Sequence, residues 1–322
     1  MSAVAETGHA GLARADALIW TAIAAAAAAI AAATLWGDFR LDRPSFAAPA
    51  ALVAILMAAA RFYLRRRGEP KIAAALATTA QLMAFAAVGA PLSYIAASLG
   101  RPLHDGAFAA ADAMLGLDWS AALAWMQARP LLHMVLALSY ASFALQATAT
   151  VLALAFAGRL EHLRVFMLAF ILAALASIAI SAVVPAEGVW GFYRFSPGDY
   201  PDIVPATRAA QPVFDGLRDG SFRMLAAVGA QGIITFPSFH AALGVIFIAS
   251  LWFVPVLRWI GLALNALMIL STPVDGGHYV VDVIAGVAIA VACLVAARQI
   301  ALPRHSRRRH AAIAAEATPR AR

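Results

Sequence analysis

Thr272-Pro-Val-Asp-Gly-Gly-His-Tyr-Val-Val-Asp-Val-Ile-Ala-Gly286 decides the reading of this chain. It sets His278 and Asp282 four residues apart at the start of a long apolar run. At helical pitch, residues i and i+4 lie on one face. Gly276 and Gly277 permit a tight turn and close approach of backbone to a ligand. Asp282 falls within a segment of lipid-spanning composition, where an ionisable side chain is expensive and marks a functional candidate. A carboxylate that accepts a hydrogen bond from one imidazole nitrogen sets the tautomer and leaves the other nitrogen as nucleophile or base. The same spacing also suits a His–Asp pair that only caps and anchors a helix end.

A second stretch, Phe236-Pro-Ser-Phe-His240, opens another apolar run, with Pro237 expected at the first helical position. Ser238 and His240 then fall in the first turn, where free backbone N–H groups and the positive helix end attract anions. Two helix starts thus each carry a histidine, one with a serine and one with an aspartate.

Pro-Ser-x-His followed by His-x-x-x-Asp resembles the signature of the type 2 phosphatidic acid phosphatase superfamily, at Pro237, Ser238, His240, His278 and Asp282. The wording Phe-Pro-Ser-Phe-His with Gly-Gly-His-Tyr is similar to a bacterial branch related to inositol phosphorylceramide synthases. The stretches from Pro102 to Trp119 and from Tyr140 to Gln146 resemble that branch too. The resemblance implies an integral-membrane lipid phosphatase or phosphotransferase with no metal or cofactor. His278 would attack phosphorus and form a phosphohistidine, with Asp282 orienting it. His240 would protonate the leaving alkoxide and then activate water or an alcohol. Ser238 and nearby N–H groups would hold phosphate oxygens. The implied partner is a lipid phosphate or phospholipid in the membrane.

Two features depart from the superfamily pattern. A Ser-Arg pair is expected six residues before the nucleophile, but Ser271 and Thr272 stand there. An upstream Lys with an Arg-Pro pair is also missing at the expected spacing. The phosphate clamp must come from elsewhere, and Arg194, Arg208, Arg218 and Arg223 are the candidates, with Arg218 favoured.

Composition agrees with a membrane protein. Of 322 residues, 63% are hydrophobic and 13% charged, far from the balance of a soluble domain. Several runs reach the roughly 20 apolar residues that span a bilayer. An all-α fold of about eight spans is expected, near 17–36, 46–64, 72–99, 131–157, 165–184, 237–255, 259–271 and 278–297. Residues 1–16 read as a disordered cytoplasmic N-terminus, 17–71 as two added spans, 72–298 as a six-span catalytic core, and 299–322 as a basic cytoplasmic tail. The segment 101–128, with Trp119 and Trp125, reads as a helix on the membrane surface. The net charge of +7 is carried mostly by Arg and reports orientation rather than nucleic-acid binding. Arg65, Arg66, Arg67 and Lys71, then Arg159 and Arg164, then Arg258 and the tail share one side. The positive-inside rule makes that side cytoplasmic, in the inner membrane, and places His240 and His278 together on the extracytoplasmic face. Single Cys293 excludes an intrachain disulfide.

Three other readings stay open at this level. One is a synthase that moves a phospho-headgroup between lipids. Another is a transporter with a His/Asp proton relay, although such relays sit near the midplane rather than at helix mouths. The third is a catalytic zinc on the two histidines and the aspartate. His133, Gln81, Gln146 and Asn265 read as polar contacts between helices.

Overall fold

The computed structural model describes residues 3–302 apart from Pro197 and Gln231. The described chain is almost wholly helical. Helices α1 (Ala3–Leu35), α2 (Arg43–Phe62), which runs on into a π-helical turn over Tyr63–Arg67, and α3 (Pro70–Ala97) come first. Short helices α4 (Asp105–Met114) and α5 (Trp119–Gln127) follow, then α6 (Pro130–Ala141), α7 (Phe143–Phe156) and α8 (Leu160–Val183). The long connection holds α9 (Val189–Tyr193) and α10 (Ala206–Asp219), and the chain continues through α11 (Phe239–Leu251), α12 (Arg258–Asp275) and α13 (Val280–Ala301). Runs this apolar fold as helices in a bilayer because helices satisfy their backbone polar groups internally.

The protein is an all-α membrane protein. Five described helices are long and apolar enough to cross a bilayer: α1 over its last 24 residues, α2 with its π turn, α3, α8 and α13. The remaining expected spans are built from shorter pieces. The run 131–157 divides at Ser142 into α6 and α7, where the hydroxyls of Ser139 and Ser142 donate to the carbonyls of Val135 and Ser139 and compete with the backbone ladder. α5 and α6 meet at 103°. α11 starts at Phe239, two residues later than expected, so Pro237 lies outside it.

Two further expectations differ from the structure. The segment 1–16, expected to be disordered, is helical from Ala3. Its end is tied into the bundle: Ala15 is fully buried, and Asp16 pairs with Arg164 at 3.0 Å and accepts from Gln81 at 3.0 Å. The segment 101–128 is two short helices rather than one surface helix, and Trp119 is buried where a headgroup-level residue was expected. Its indole donates to Asp112, which explains the inward position. The basic tail lies outside the described residues from 303 onward.

α8 is the central helix and packs against α1, α3, α11 and α13. Leu163, Phe166, Met167, Leu168, Ala169 and Ile171 are buried there. α1 buries Ala15, Ile19, Ile23, Ala26 and Ile30, a single helical stripe, against the bundle. α2 lies outermost and packs chiefly on α3, and Ala60 is its buried residue.

The loops gather at two ends. At one end the Lys71 ammonium donates to the Phe156 carbonyl, and His162 packs on Phe253. That end collects the cationic loops 63–71, 157–159 and 252–258. At the other end β1 (Arg40–Leu41) pairs in parallel with β2 (Met224–Leu225), and His104 N–H donates to the Pro185 carbonyl. Both histidine motifs lie at this second end.

α11 and α13 meet there at backbone distance. A Cβ on Gly286 would collide with the Ser238 carbonyl oxygen. Gly286→Val is therefore expected to cost about 1–3 kcal/mol through overpacking. Measured on the detergent-solubilised protein, its thermal midpoint should fall well below that of the more distant control Gly106→Ala, where a Cβ meets open space.

Candidate active site

The site is built where the starts of α11 and α13 face each other. Tyr279 is the N-cap of α13, and its N–H donates to the Asp282 carboxylate at 3.0 Å. The same carboxylate oxygen lies 3.3 Å from His278 Nδ1. The carboxylate thus closes the first turn of the helix and holds the imidazole in one arrangement. His278 and Asp282 are both buried. Gly277 adopts a φ of 74°, open to glycine at little cost, and a Cβ there would overlap the Thr207 hydroxyl.

Ser238 caps α11: its Oγ accepts from Ala241 N–H at 3.3 Å. Its own N–H donates to the Asp282 carbonyl at 3.0 Å, which ties the two motifs together. His240 therefore comes within electrostatic reach of His278. The His240 ring stacks on Tyr140, with centroids 4.1 Å apart, and is met edge-on by Phe143. Tyr140 Oη lies 3.2 Å from His240 Nδ1, and His240 Nε2 is buried and has no hydrogen-bond partner among the described residues.

Two carboxylates from α4 brace the loop that carries His278, and sequence reading gave them no role. Asp112 accepts from Val280 N–H at 3.1 Å and from the Trp119 indole at 3.0 Å. Asp105 accepts from Gly188 N–H at 2.8 Å, Glu187 N–H at 3.1 Å and Tyr279 Oη at 3.0 Å. Burial raises Asp112 above the usual carboxylate range, opposed by the hydrogen bonds it accepts. Three aspartates at irregular spacing in an apolar segment were the only signal available to find them. A second His–Asp pair was hidden altogether: His133 Nε2 and Asp275 Oδ1 stand 3.0 Å apart between α6 and α12. Gln146 and Asn265, both expected as polar contacts between helices, meet each other, with Asn265 donating at 2.8 Å.

The four candidate arginines separate. Arg223 is tied to Asp38 at 2.7 Å and to the carbonyls of Leu217 and Phe222, a brace to the α1–α2 turn. Arg194 caps α9 with a φ of 55°. Arg218 donates to the Arg101 carbonyl at 2.9 Å from the last turn of α10, and its Nη1 is buried with no partner among the described residues. Arg208 lies in the first turn of α10, one residue after Thr207, whose N–H donates to the Gly276 carbonyl at 3.3 Å. It rests over the Trp190 ring, and its Nη1 is buried with no partner among the described residues. Of the four, Arg208 is the one whose immediate neighbour, Thr207, is hydrogen-bonded to the loop before His278. Thr272, in the place of the missing arginine, is buried and donates to the Met268 carbonyl.

A model of the PAP2 superfamily matches residues 106–296. The chain belongs to the PAP2 superfamily. The match runs from within α4 into α13 and includes both histidine motifs and Asp112, while Asp105 lies one residue before it. Members are phosphatases or phosphotransferases, and the chain is an enzyme of that type. Comparison with curated proteins and with solved structures gave no match.

Asp105 satisfies three donors, and removing it leaves buried groups unpaired at about 1–3 kcal/mol each. Asp105→Ala is expected to lower both thermal stability and activity severely. Tyr279→Phe removes one of the three contacts and should cost roughly 1 kcal/mol while retaining most activity. Thermal melts paired with turnover assays check the ranking.

Proposed function

We propose that the protein is a metal-independent lipid phosphatase or phosphotransferase that works through a phosphohistidine on His278. The observation that carries this reading is the opposed fixing of two imidazoles. Asp282 engages Nδ1 of His278, and Tyr140 engages Nδ1 of His240. With His278 Nδ1–H donating to Asp282, Nε2 keeps its lone pair for attack. With the Tyr140 hydroxyl donating to His240 Nδ1, the proton of His240 resides on Nε2, the atom without a partner. One ring is then a nucleophile and its neighbour a proton donor.

In the first half-reaction His278 Nε2 bonds to phosphorus, the P–O bond to the lipid alcohol breaks, and the alkoxide takes the proton from His240. In the second, His240 accepts a proton from water or an alcohol, whose oxygen displaces His278. Charge on the equatorial oxygens meets Arg208, the Ser238 hydroxyl and backbone N–H groups at the helix starts. Arg218, favoured by sequence, is a second cation on the same helix. Gathering of the cationic loops at the opposite end supports an extracytoplasmic site in the inner membrane.

A pure sample in detergent, given a lipid phosphate and an aryl phosphate, tests the reading. His278→Ala should lose at least about a thousandfold in kcat/KM on both. His240→Ala should harm the alkyl ester far more than the aryl ester, whose leaving oxygen needs little protonation. Equal harm would leave His240 as a phosphate ligand only. Activity lost to a chelator and restored by zinc would move His240, His278 and Asp282 to the metal reading.

Arg208 makes a separate prediction. Loss of one charge-assisted contact is worth about 1.5–3 kcal/mol. Arg208→Ala should lower kcat/KM by about 10- to 150-fold, and Arg218→Ala by less. The reverse order would restore Arg218 as the main clamp.

A further inference from the structure

Helix α6 is held in place by little apolar packing. Its buried residues are Leu136 and Ser139, whereas Leu131, Met134 and Leu138 are exposed. Lipid tails are as apolar as these side chains, so packing drives such a helix onto the bundle only weakly, and polar contacts between helices gain weight. Continuity with its neighbours does not fix it either: α5 meets it at 103°, and α7 follows across the break at Ser142. α6 packs chiefly on α12, and His133 Nε2 lies 3.0 Å from Asp275 Oδ1 between the two. The two side chains are 12% and 10% exposed, so water competes little for this bond.

Asp275 is the last residue of α12, at the negative end of the helix, where a carboxylate is disfavoured. A buried ionic contact also adds little net stability over apolar packing of the same volume. The pair is better explained by what it places. His133 and Tyr140 are seven residues apart, two helical turns, and share one face of α6. Tyr140 stacks on His240 with its Oη 3.2 Å from Nδ1, and it lies within electrostatic reach of Asp275. His278 is held separately, by Asp282 and by the carboxylates of α4 acting on Tyr279 and Val280.

We infer that His133 and Asp275 are positioning residues for the proton donor: their bond sets α6 on α12 so that Tyr140 meets His240 and keeps its proton on Nε2. The inference rests on the reading of His240 as general acid and deepens it, since the pair acts through Tyr140 rather than on the substrate. A selective defect follows. Slackening α6 harms the step that protonates the leaving alkoxide and spares attack by His278.

The full chain in detergent would be given dioleoyl phosphatidic acid and para-nitrophenyl phosphate, with kcat and KM measured for each. The ratio of the two kcat values is taken within one sample and does not depend on how much protein is folded. His133→Leu and Asp275→Leu should lower the alkyl-to-aryl ratio by about 3- to 20-fold, the range spanned by one polar contact between membrane helices, with both KM values little changed. His133→Gln keeps an N–H donor for Asp275 and should recover most of the ratio. Tyr140→Phe should lower the ratio as well, and His133→Leu added to it should lower it no further, because the effect passes through Tyr140. An unchanged ratio in either leucine variant, no rescue by glutamine, or a full additional loss in the Tyr140→Phe background overturns the positioning role. His240→Ala keeps the two failures apart. If it harms the alkyl ester selectively while His133→Leu does not, the inference alone falls. If it harms both esters equally, the general acid falls with it.

Discussion

The end of the bundle that carries both histidine motifs depends on how the backbone from Gly276 to Asp282 is held. A helix start presents N–H groups that have no partner within the helix. Here they meet carboxylates. Tyr279 N–H goes to Asp282 and Val280 N–H to Asp112, while Asp105 takes the Tyr279 hydroxyl. Tyr279 is among the largest fully buried side chains, so its ring fixes the same turn from the apolar side. His278 therefore sits on a segment braced from three directions, which limits its displacement.

Buried carboxylates are destabilising unless they are bonded. Asp105 and Asp112 answer that constraint by accepting two or more bonds each. Near the two histidine motifs, His240 Nε2, Asp282 Oδ1, Thr207 Oγ1 and Arg208 Nη1 are buried without partners among the described residues, as are atoms elsewhere such as Gln81 Oε1, Arg218 Nη1 and Asn265 Oδ1. Buried polar atoms of this kind are costly to the fold wherever they lie.

The loops at the end that carries both motifs are stitched to one another. Arg223 reaches the α1–α2 turn at Asp38, β2 pairs with β1, and Gly277 accepts from Val189. α1 is packed into the main core against α3, α8 and α13. These contacts hold α10 against the loop before His278, where Thr207 N–H donates to the Gly276 carbonyl.

Sequence by itself determined the membrane class, the all-α fold and the pairing of Pro-Ser-x-His with His-x-x-x-Asp. These are local properties. Hydropathy acts over about one span length, and the i, i+4 relation is built into helical pitch. Counting cationic loops also put both motifs at one end, because orientation is written in short segments. Tertiary structure decided the rest. Which residues of α10 lie beside Gly276 and Gly277 depends on how that helix packs, and Thr207 is the one that bonds there. Asp105 and Asp112 are unremarkable in the chain and become braces only where α4 meets the start of α13. His133 finds Asp275 across 142 residues, and Tyr140 finds His240 across 100. Such contacts follow no period that a single sequence displays, since they arise where helices cross, and the crossing is set by packing along the whole length of both.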